Sequence, residues 1–409
     1  MDSELTEALM TSGAVLLEGP KACGKTQTAL RAAASSVRFD LDPSASDRAA
    51  LDPMLVLEGA TPRLLDEWQR APEVWDAVRR AVDDRSGPGL FILTGSAVPA
   101  DDQTHHSGAM RILRLKMRPM SLFEAGFGRP GVSFTELAAG NDVRFADPGI
   151  ALADVAVMVT RGGWPGNLEY DDSRALRRVQ GYINEITRVD LAEAVGTRRD
   201  PQSVLRVMRS LARNVGTPTS TASITRDVNG TDGQVKEHTV ANIIDGLSRL
   251  MVVEELSAWA PAIRSRTRLR AAAIRHFVDP SIATAAVGVN HERLLAEPQW
   301  FGFLFEEMVL RDVRVFSQPL GGRTYHYRDS SGLEADIVVE FPNGSWMAIE
   351  VKLGYSQIDS AAKNLLKLRE RVDVASNGEC LALVVMTSTG PAYTRRDGVK
   401  VVPAGLLGP

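Results

Sequence analysis

A glycine-bounded loop with a lysine, and an acid pair further along, are the first residues in this sequence whose types and spacing suit chemistry. Gly19-Pro20-Lys21-Ala22-Cys23-Gly24-Lys25-Thr26 satisfies the full pattern of a phosphate-binding loop, with an apolar strand, Ala14 to Leu17, before it and a helix expected after it. The glycines let backbone amides turn inward around phosphate oxygens. The following helix adds its positive N-terminal end, and Lys25 neutralises the β and γ oxygens of a nucleoside triphosphate. Thr26 is expected to bind magnesium through its hydroxyl. In Arg63-Leu64-Leu65-Asp66-Glu67-Trp68-Gln69 a short apolar strand ends in two adjacent acids. Two acids suit two tasks: Asp66 holds magnesium through water, and Glu67 orients and deprotonates the water that attacks the γ-phosphate. A nucleotide kinase has no need of the second acid.

Phe91-Ile92-Leu93-Thr94-Gly95-Ser96 reads as a buried strand ending in small polar residues, so Thr94 or Ser96 is a candidate sensor of the γ-phosphate. Arg111, Arg114 and Arg118 follow in one segment. Any of the three is a candidate arginine finger that reaches a neighbouring subunit's nucleotide, with Arg111 and Arg118 taken as nucleotide-binding candidates.

A second set of chemistry-bearing residues lies near the end of the chain. Glu306 sits in a helical stretch after Gly302, Asp336 lies in Leu333-Glu334-Ala335-Asp336-Ile337-Val338-Val339, and Glu350 and Lys352 lie in Met347-Ala348-Ile349-Glu350-Val351-Lys352. This is the residue order of a PD-(D/E)xK nuclease site. Pro342-Asn343-Gly344 suits a three-residue hairpin loop, which pairs Phe341 with Ser345 and, counting outward, sets Asp336 opposite Glu350. Directly paired residues share a sheet face, and Lys352 joins them two residues on. Two such carboxylates, with Glu306 from its helix, are expected to hold a hard divalent ion, while Lys352 stabilises hydroxide or phosphorane charge.

The middle of the chain is basic. From Arg174 to Arg275 there are 17 Lys or Arg against 10 Asp or Glu, a bias that the overall net charge of −4 conceals. Ser220 to Val228 and His238 to Leu250 read as two helices, followed by a strand-like run at Val252 to Leu256, an order that suggests a winged helix. Arg264, Arg266, Arg268 and Arg270 alternate along the expected wing and project together, a face suited to DNA phosphates but without sequence preference.

The elements that must position these residues follow from the apolar pattern. Short runs at Ala14 to Leu17, Val37 to Leu41, Leu64 to Asp66, Leu90 to Thr94 and Ile112 to Leu115 alternate with helical stretches, which predicts a parallel sheet between helices. Residues 151–215 read as helix, and the chain from about Trp300 returns to mixed helix and strand. No apolar run is long enough to span a membrane, and no secretory signal is visible, so a cytoplasmic protein is expected. Cys23 and Cys380 lie far apart and imply neither a disulfide scaffold nor a zinc site.

The sequence resembles the prokaryotic ATP-binding proteins that join an AAA-type core to a C-terminal domain of unknown function. The resemblance spans nearly the whole chain. It rests on Gly19 to Thr26, Leu65-Asp66-Glu67-Trp68-Gln69, Leu93-Thr94-Gly95-Ser96, Met117-Arg118-Pro119-Met120-Ser121-Leu122 and Arg161-Gly162-Gly163-Trp164-Pro165. It implies ATP binding, a winged-helix segment and a nuclease-like C-terminal fold. Cys23 departs from the usual residue without disturbing the loop. The expected fold class is α/β: a P-loop NTPase core with an AAA-type parallel sheet over 1–150, a helical domain over 151–215, a winged-helix segment over 216–290 and a restriction-endonuclease-like domain over 291–409. The expected function is magnesium-dependent ATP hydrolysis coupled to action on nucleic acid in a homo-oligomer. The alternative is an ATP-switched regulatory or DNA-binding assembly protein whose nuclease-like domain is silent.

Overall fold

The structure is a computed structural model that describes residues 1–96, 108–196, 199–230, 235–260, 273–374 and 378–409. Compact packing divides the chain into two units. One comprises Met1–Pro119, Val189–Arg198 and Asp245–Val252; the other comprises Met120–Arg188, Arg199–Ile244 and Val253–Pro409.

In the first unit, β1 (Ala14–Glu18), β2 (Ser35–Arg38), β3 (Arg63–Asp66), β4 (Phe91–Gly95) and β5 (Ile112–Lys116) form one sheet in the order β2-β3-β4-β1-β5, every neighbour parallel. Both faces are covered. Ala14, Leu16, Leu65, Phe91 and Leu93 pack with the helices Pro43–Leu51 and Glu73–Arg85, while Val15, Leu17, Leu64 and Ile92 pack with Asp2–Thr11 and Lys25–Ala32. The central strands β1 and β4 are buried on both sides and carry no polar alternation, which is why they read in the sequence as apolar runs. The strand expected at Val37 to Leu41 is displaced to Ser35–Arg38. Beyond it the amides of Leu41 and Asp42 turn back to the Arg38 carbonyl, and Asp42 caps the helix Pro43–Leu51 by accepting from Ser44 N.

The second unit carries β6 (Val132–Ser133), the antiparallel pair β7 (Val253–Leu256) and β8 (Ile274–Phe277), then β9 (Arg323–Arg328), β10 (Glu334–Glu340), β11 (Trp346–Lys352), β12 (Cys380–Thr387), β13 (Tyr393–Thr394), β14 (Lys400–Pro403) and β15 (Leu407–Gly408). Six of these form a mixed sheet in the order β13-β14-β12-β11-β10-β9, with β11, β12 and β14 parallel to one another. The helix Ile358–Arg371 supplies the crossover from β11 to β12 and buries Ala361, Leu365 and Leu368 against Ala348 and Val385. The expected hairpin forms: Phe341 N donates to Ser345 O, and Gly344 takes the left-handed conformation at φ 85°. The β10–β11 ladder then runs outward to Ile337 opposite Ile349, with Asp336 next in line. On its other side β10 shifts register against β9 between Ala335 and Val338, a bulge that falls at Asp336 and Ile337.

Two of the sequence motifs meet in a buried polar network of the second unit. Arg311, in the helix Pro298–Ser317, pairs with Asp279 Oδ2 at 2.7 Å and with Asp312 Oδ1 at 2.7 Å. Asp279 also accepts from Gly163 N, and Asp312 from Leu122 N. Met120 N donates to Gly163 O, so Met120 to Leu122 and Gly162 to Trp164 are held together around one guanidinium. Further on, β15 pairs in parallel with β6, and the Ser133 hydroxyl donates to Pro409 O across a sequence separation of 276. Among the described residues no helix is long and apolar enough to cross a membrane.

Candidate functional site

The phosphate-binding loop leaves the carboxyl end of β1 and opens the helix Lys25–Ala32. Gly24 stands at φ 107°, a conformation that glycine adopts freely. Ala22 holds φ 66° without that freedom, and such strain, roughly 1–2 kcal/mol, persists at sites where the surroundings impose it. A Cβ on Gly19 would come within 2.1 Å of the Met117 carbonyl oxygen, so only glycine fits there. Cys23 packs on the same carbonyl, its Sγ at 3.8 Å, and burial pushes its thiol pKa up against the opposing charge of Lys25. Lys25 is buried, its Nζ donating to Gly19 O at 2.9 Å and Pro20 O at 2.8 Å.

Asp66 ends β3 and is buried. Its Oδ1 accepts from the Thr26 hydroxyl at 2.9 Å and from the Thr94 hydroxyl, and its Oδ2 accepts from Arg38 Nε at 3.2 Å. The hydroxyl of Thr26 beside this carboxylate is a hard-oxygen donor set of the kind magnesium takes with phosphate and water. Glu67 follows at φ 56°, left-handed like Ala22, and its amide donates to Thr94 Oγ1 at 3.1 Å. Its carboxylate Oε2 accepts from the Ser96 hydroxyl at 3.1 Å and from Gln69 Nε2. Thr94 and Ser96, expected as phosphate sensors, therefore bond directly to the two acids.

The arginines behave differently. Arg111 immediately precedes β5, at the amino end of the parallel sheet and thus opposite the loop, where it pairs with Asp83 Oδ1 at 2.8 Å. Its own chain's loop is not within its reach, because strand polarity puts the two at opposite edges. Arg114 pairs with Glu18 Oε2 at 2.9 Å and lies over the Trp75 ring. Arg118 follows β5 at the carboxyl edge, the edge that carries the loop. Lys21, within the loop, pairs with Asp190 Oδ1 at 2.6 Å. Arg38 and Asp190 carried no local sequence signal for these roles, and Gln69 stood in the quoted motif without a role of its own.

In the second unit Lys352 Nζ lies between two carboxylates, 3.3 Å from Asp336 Oδ2 and paired with Glu350 Oε2. Asp336 Oδ2 also accepts from Val351 N at 2.7 Å. Burial opposes the Lys352 charge, but Asp336 and Glu350 outweigh it and hold the ammonium pKa above its ordinary value. Burial and the Asp336 charge push Glu350 up to about 8, and the same two causes raise Glu306 well above the carboxylate range. Glu350 Oε1 is buried without a hydrogen-bond partner among the described residues. So is the hydroxyl of Thr387, which stands opposite Lys352 in the β11–β12 register. Among the described residues no group of three or more His, Cys, Asp or Glu is placed to hold a metal ion. The ammonium of Lys352 lies between Asp336 and Glu350, two of the three carboxylates expected to hold an ion, and the third, Glu306, feels the Asp336 and Glu350 charges. Arg264, Arg266, Arg268 and Arg270 lie outside the described residues.

The first of these sites lies in a part of the chain that matches a known family. Residues 11–126 match the AAA domain family, residues 152–293 a domain of unknown function (DUF8612) and residues 301–407 a domain of unknown function (DUF4143). The loop, the acid strand and the parallel sheet all fall inside the AAA match, which marks this part of the chain as an AAA-type ATP-binding domain. Over 356 residues the chain is 28% identical to an uncharacterized protein of Mycobacterium tuberculosis, and equally to one of Mycobacterium bovis, covering 86% of this chain and 72% of each relative.

Proposed function

We propose that the protein hydrolyses ATP with magnesium and uses the nucleotide cycle to control action of its second unit on nucleic acid. The observation that carries the hydrolytic part is the placement of both acids by one hydroxyl: Thr94 donates to Asp66 and accepts the amide of Glu67. Lys25 and the loop amides hold the β and γ phosphates, and Thr26 and Asp66 would hold magnesium. Bound there, magnesium neutralises charge on the β and γ oxygens. Glu67 takes a proton from the attacking water as its oxygen bonds to the γ-phosphorus and the bridging bond to ADP breaks. Free phosphate is then the product, which separates this reading from a small-molecule kinase. The test is phosphate release by wild type and Lys25→Ala; turnover that survives in the variant overturns the reading.

The nucleic-acid part rests on the second unit. The helices Thr221–Asn229 and Glu237–Arg249 followed by the β7–β8 ladder support a winged helix. Asp336, Glu350 and Lys352 gathered at the end of a mixed sheet support a restriction-endonuclease-like fold, with boundaries near residues 151, 216 and 291. The buried, unpartnered Glu350 Oε1 beside Asp336 suits a hard cation that completes its shell with water and substrate. A homo-oligomer acting on DNA in the cytoplasm follows from this reading. Cleavage of supercoiled and single-stranded DNA with magnesium or manganese, present in wild type and lost in Asp336→Ala, is the expected result. A second reading is favoured by the Lys352 ammonium between the carboxylates: an ATP-switched binding protein whose nuclease-like site is silent. Salt-sensitive DNA binding without any cleavage is its signature.

A further inference from the structure

We propose that Lys21 and Asp190 form a nucleotide-sensing pair, in which the triphosphate and the Asp190 carboxylate compete for one ammonium. The inference rests on the ATP-binding reading above. Lys21 is the third residue of the phosphate-binding loop, and its Nζ lies 2.6 Å from Asp190 Oδ1. The Asp190 side chain is 6% exposed and that of Lys21 43%. A carboxylate so buried depends on its cation, while a phosphate-binding loop gathers positive charge for an anion more highly charged than a carboxylate. One ammonium therefore has two acceptors, and only one of them belongs to the protein.

The surroundings of Asp190 make that competition consequential. The helix Asp172–Glu185 runs directly into a π-helical turn, Ile186–Asp190, and the helix Leu191–Val195 follows. Turns of this kind interrupt the regular hydrogen-bond ladder and concentrate at functional positions. The segment Val189–Arg198 packs with the loop-bearing unit, whereas the chain on either side of it belongs to the other unit. Asp190 is thus near the point where the backbone passes from one unit into the other. Loss of its partner acts on a turn that continues covalently into Asp172–Glu185. ATP that must part this pair binds more weakly than the loop alone permits. By reciprocity, whatever holds the pair together opposes ATP.

Direct binding of ATPγS with magnesium to wild type, Asp190→Asn, Lys21→Gln and the double variant tests the pair. Asp190→Asn is expected to tighten binding about tenfold, a typical coupling, and the double variant to match Lys21→Gln alone. Tightening below about twofold, or equal tightening with and without Lys21, overturns the proposal. Should Asp190→Asn fail to fold, hydrogen exchange supplies an independent reading. ATPγS is expected to accelerate exchange of the amides of residues 186–190 in wild type but not in Lys21→Gln, and unchanged exchange in wild type overturns it. Wild type that binds no ATPγS would instead sink the ATP-binding reading itself.

Discussion

Asp66 and Thr94 stand opposite each other in the β3–β4 ladder, and the hydroxyl of Thr94 donates to the carboxylate of Asp66. The same oxygen accepts the amide of Glu67, so one buried side chain sets the position of two neighbouring acids. Thr94→Val keeps the shape and removes both bonds. It is expected to destabilise the first unit by about 1–3 kcal/mol in urea denaturation and to slow phosphate release, while Thr94→Ser recovers most of both.

Glu67→Gln preserves the shape of the proton acceptor and removes its basicity. Nucleotide binding, followed with a fluorescent ATP analogue, is expected to stay near wild type while turnover falls about 10²- to 10⁴-fold. Normal hydrolysis by this variant would transfer the role of base to another group.

Among the described residues, Arg311 is the one cation placed against both Asp279 and Asp312. Removing it as Arg311→Met leaves two buried carboxylates without their counter-charge, a loss of about 3–5 kcal/mol on the scale of broken buried pairs. Arg311→Lys is expected to recover only part of this, because an ammonium cannot reproduce the fork that meets both acids. Thermal and urea unfolding of the two variants decide the matter.

Glu350 gives a pH dependence whose sign is fixed by its environment. Its pKa is raised from 4.5 to about 8, so the folded protein retains a proton that the unfolded chain has lost. The associated stability is present below pH 4.5 and is lost as pH climbs from there through about 8. Were a divalent cation to bind at this carboxylate, it would displace the same proton. Manganese affinity, titrated by paramagnetic resonance, is therefore expected to rise between about pH 6 and 8, by up to about tenfold per unit, and then level off. Glu350→Gln is expected to abolish the rise, and a flat profile in wild type would remove Glu350 from the cation site.

Much of the candidate nucleotide site was legible in the sequence because its parts are local. The loop pattern, the apolar strand before it and the acid pair at a strand end each occupy a few consecutive residues. Burial on both faces made the central strands β1 and β4 visible as apolar runs, whereas the edge strand β2, Ser35–Arg38, carries no such run and was expected a little further along. The hairpin register was also countable, since Pro342-Asn343-Gly344 specifies its own loop and each pair follows from the last. What stayed hidden depends on chain segments meeting in space. Arg38 reaches Asp66 only because β2 lies beside β3, and Asp190 reaches Lys21 across a separation of 169 residues. Arg111 illustrates a third limit: its spacing from the other arginines was readable, but strand direction, not spacing, put it at the far edge of the sheet. Lys352 matched its motif by order, yet order alone does not show that the ammonium separates the acids it was expected to assist.

The pairing of β15 with β6 has a consequence for how the chain is made. At about 5–20 residues per second, the 276 positions between Ser133 and Pro409 take the ribosome roughly 14 to 55 s to add. Throughout that interval Val132 and Ser133 lack the strand that completes them, whereas all five strands of the nucleotide-binding sheet have already been synthesised. During synthesis, the first unit's sheet can close while β6 in the second still waits for β15.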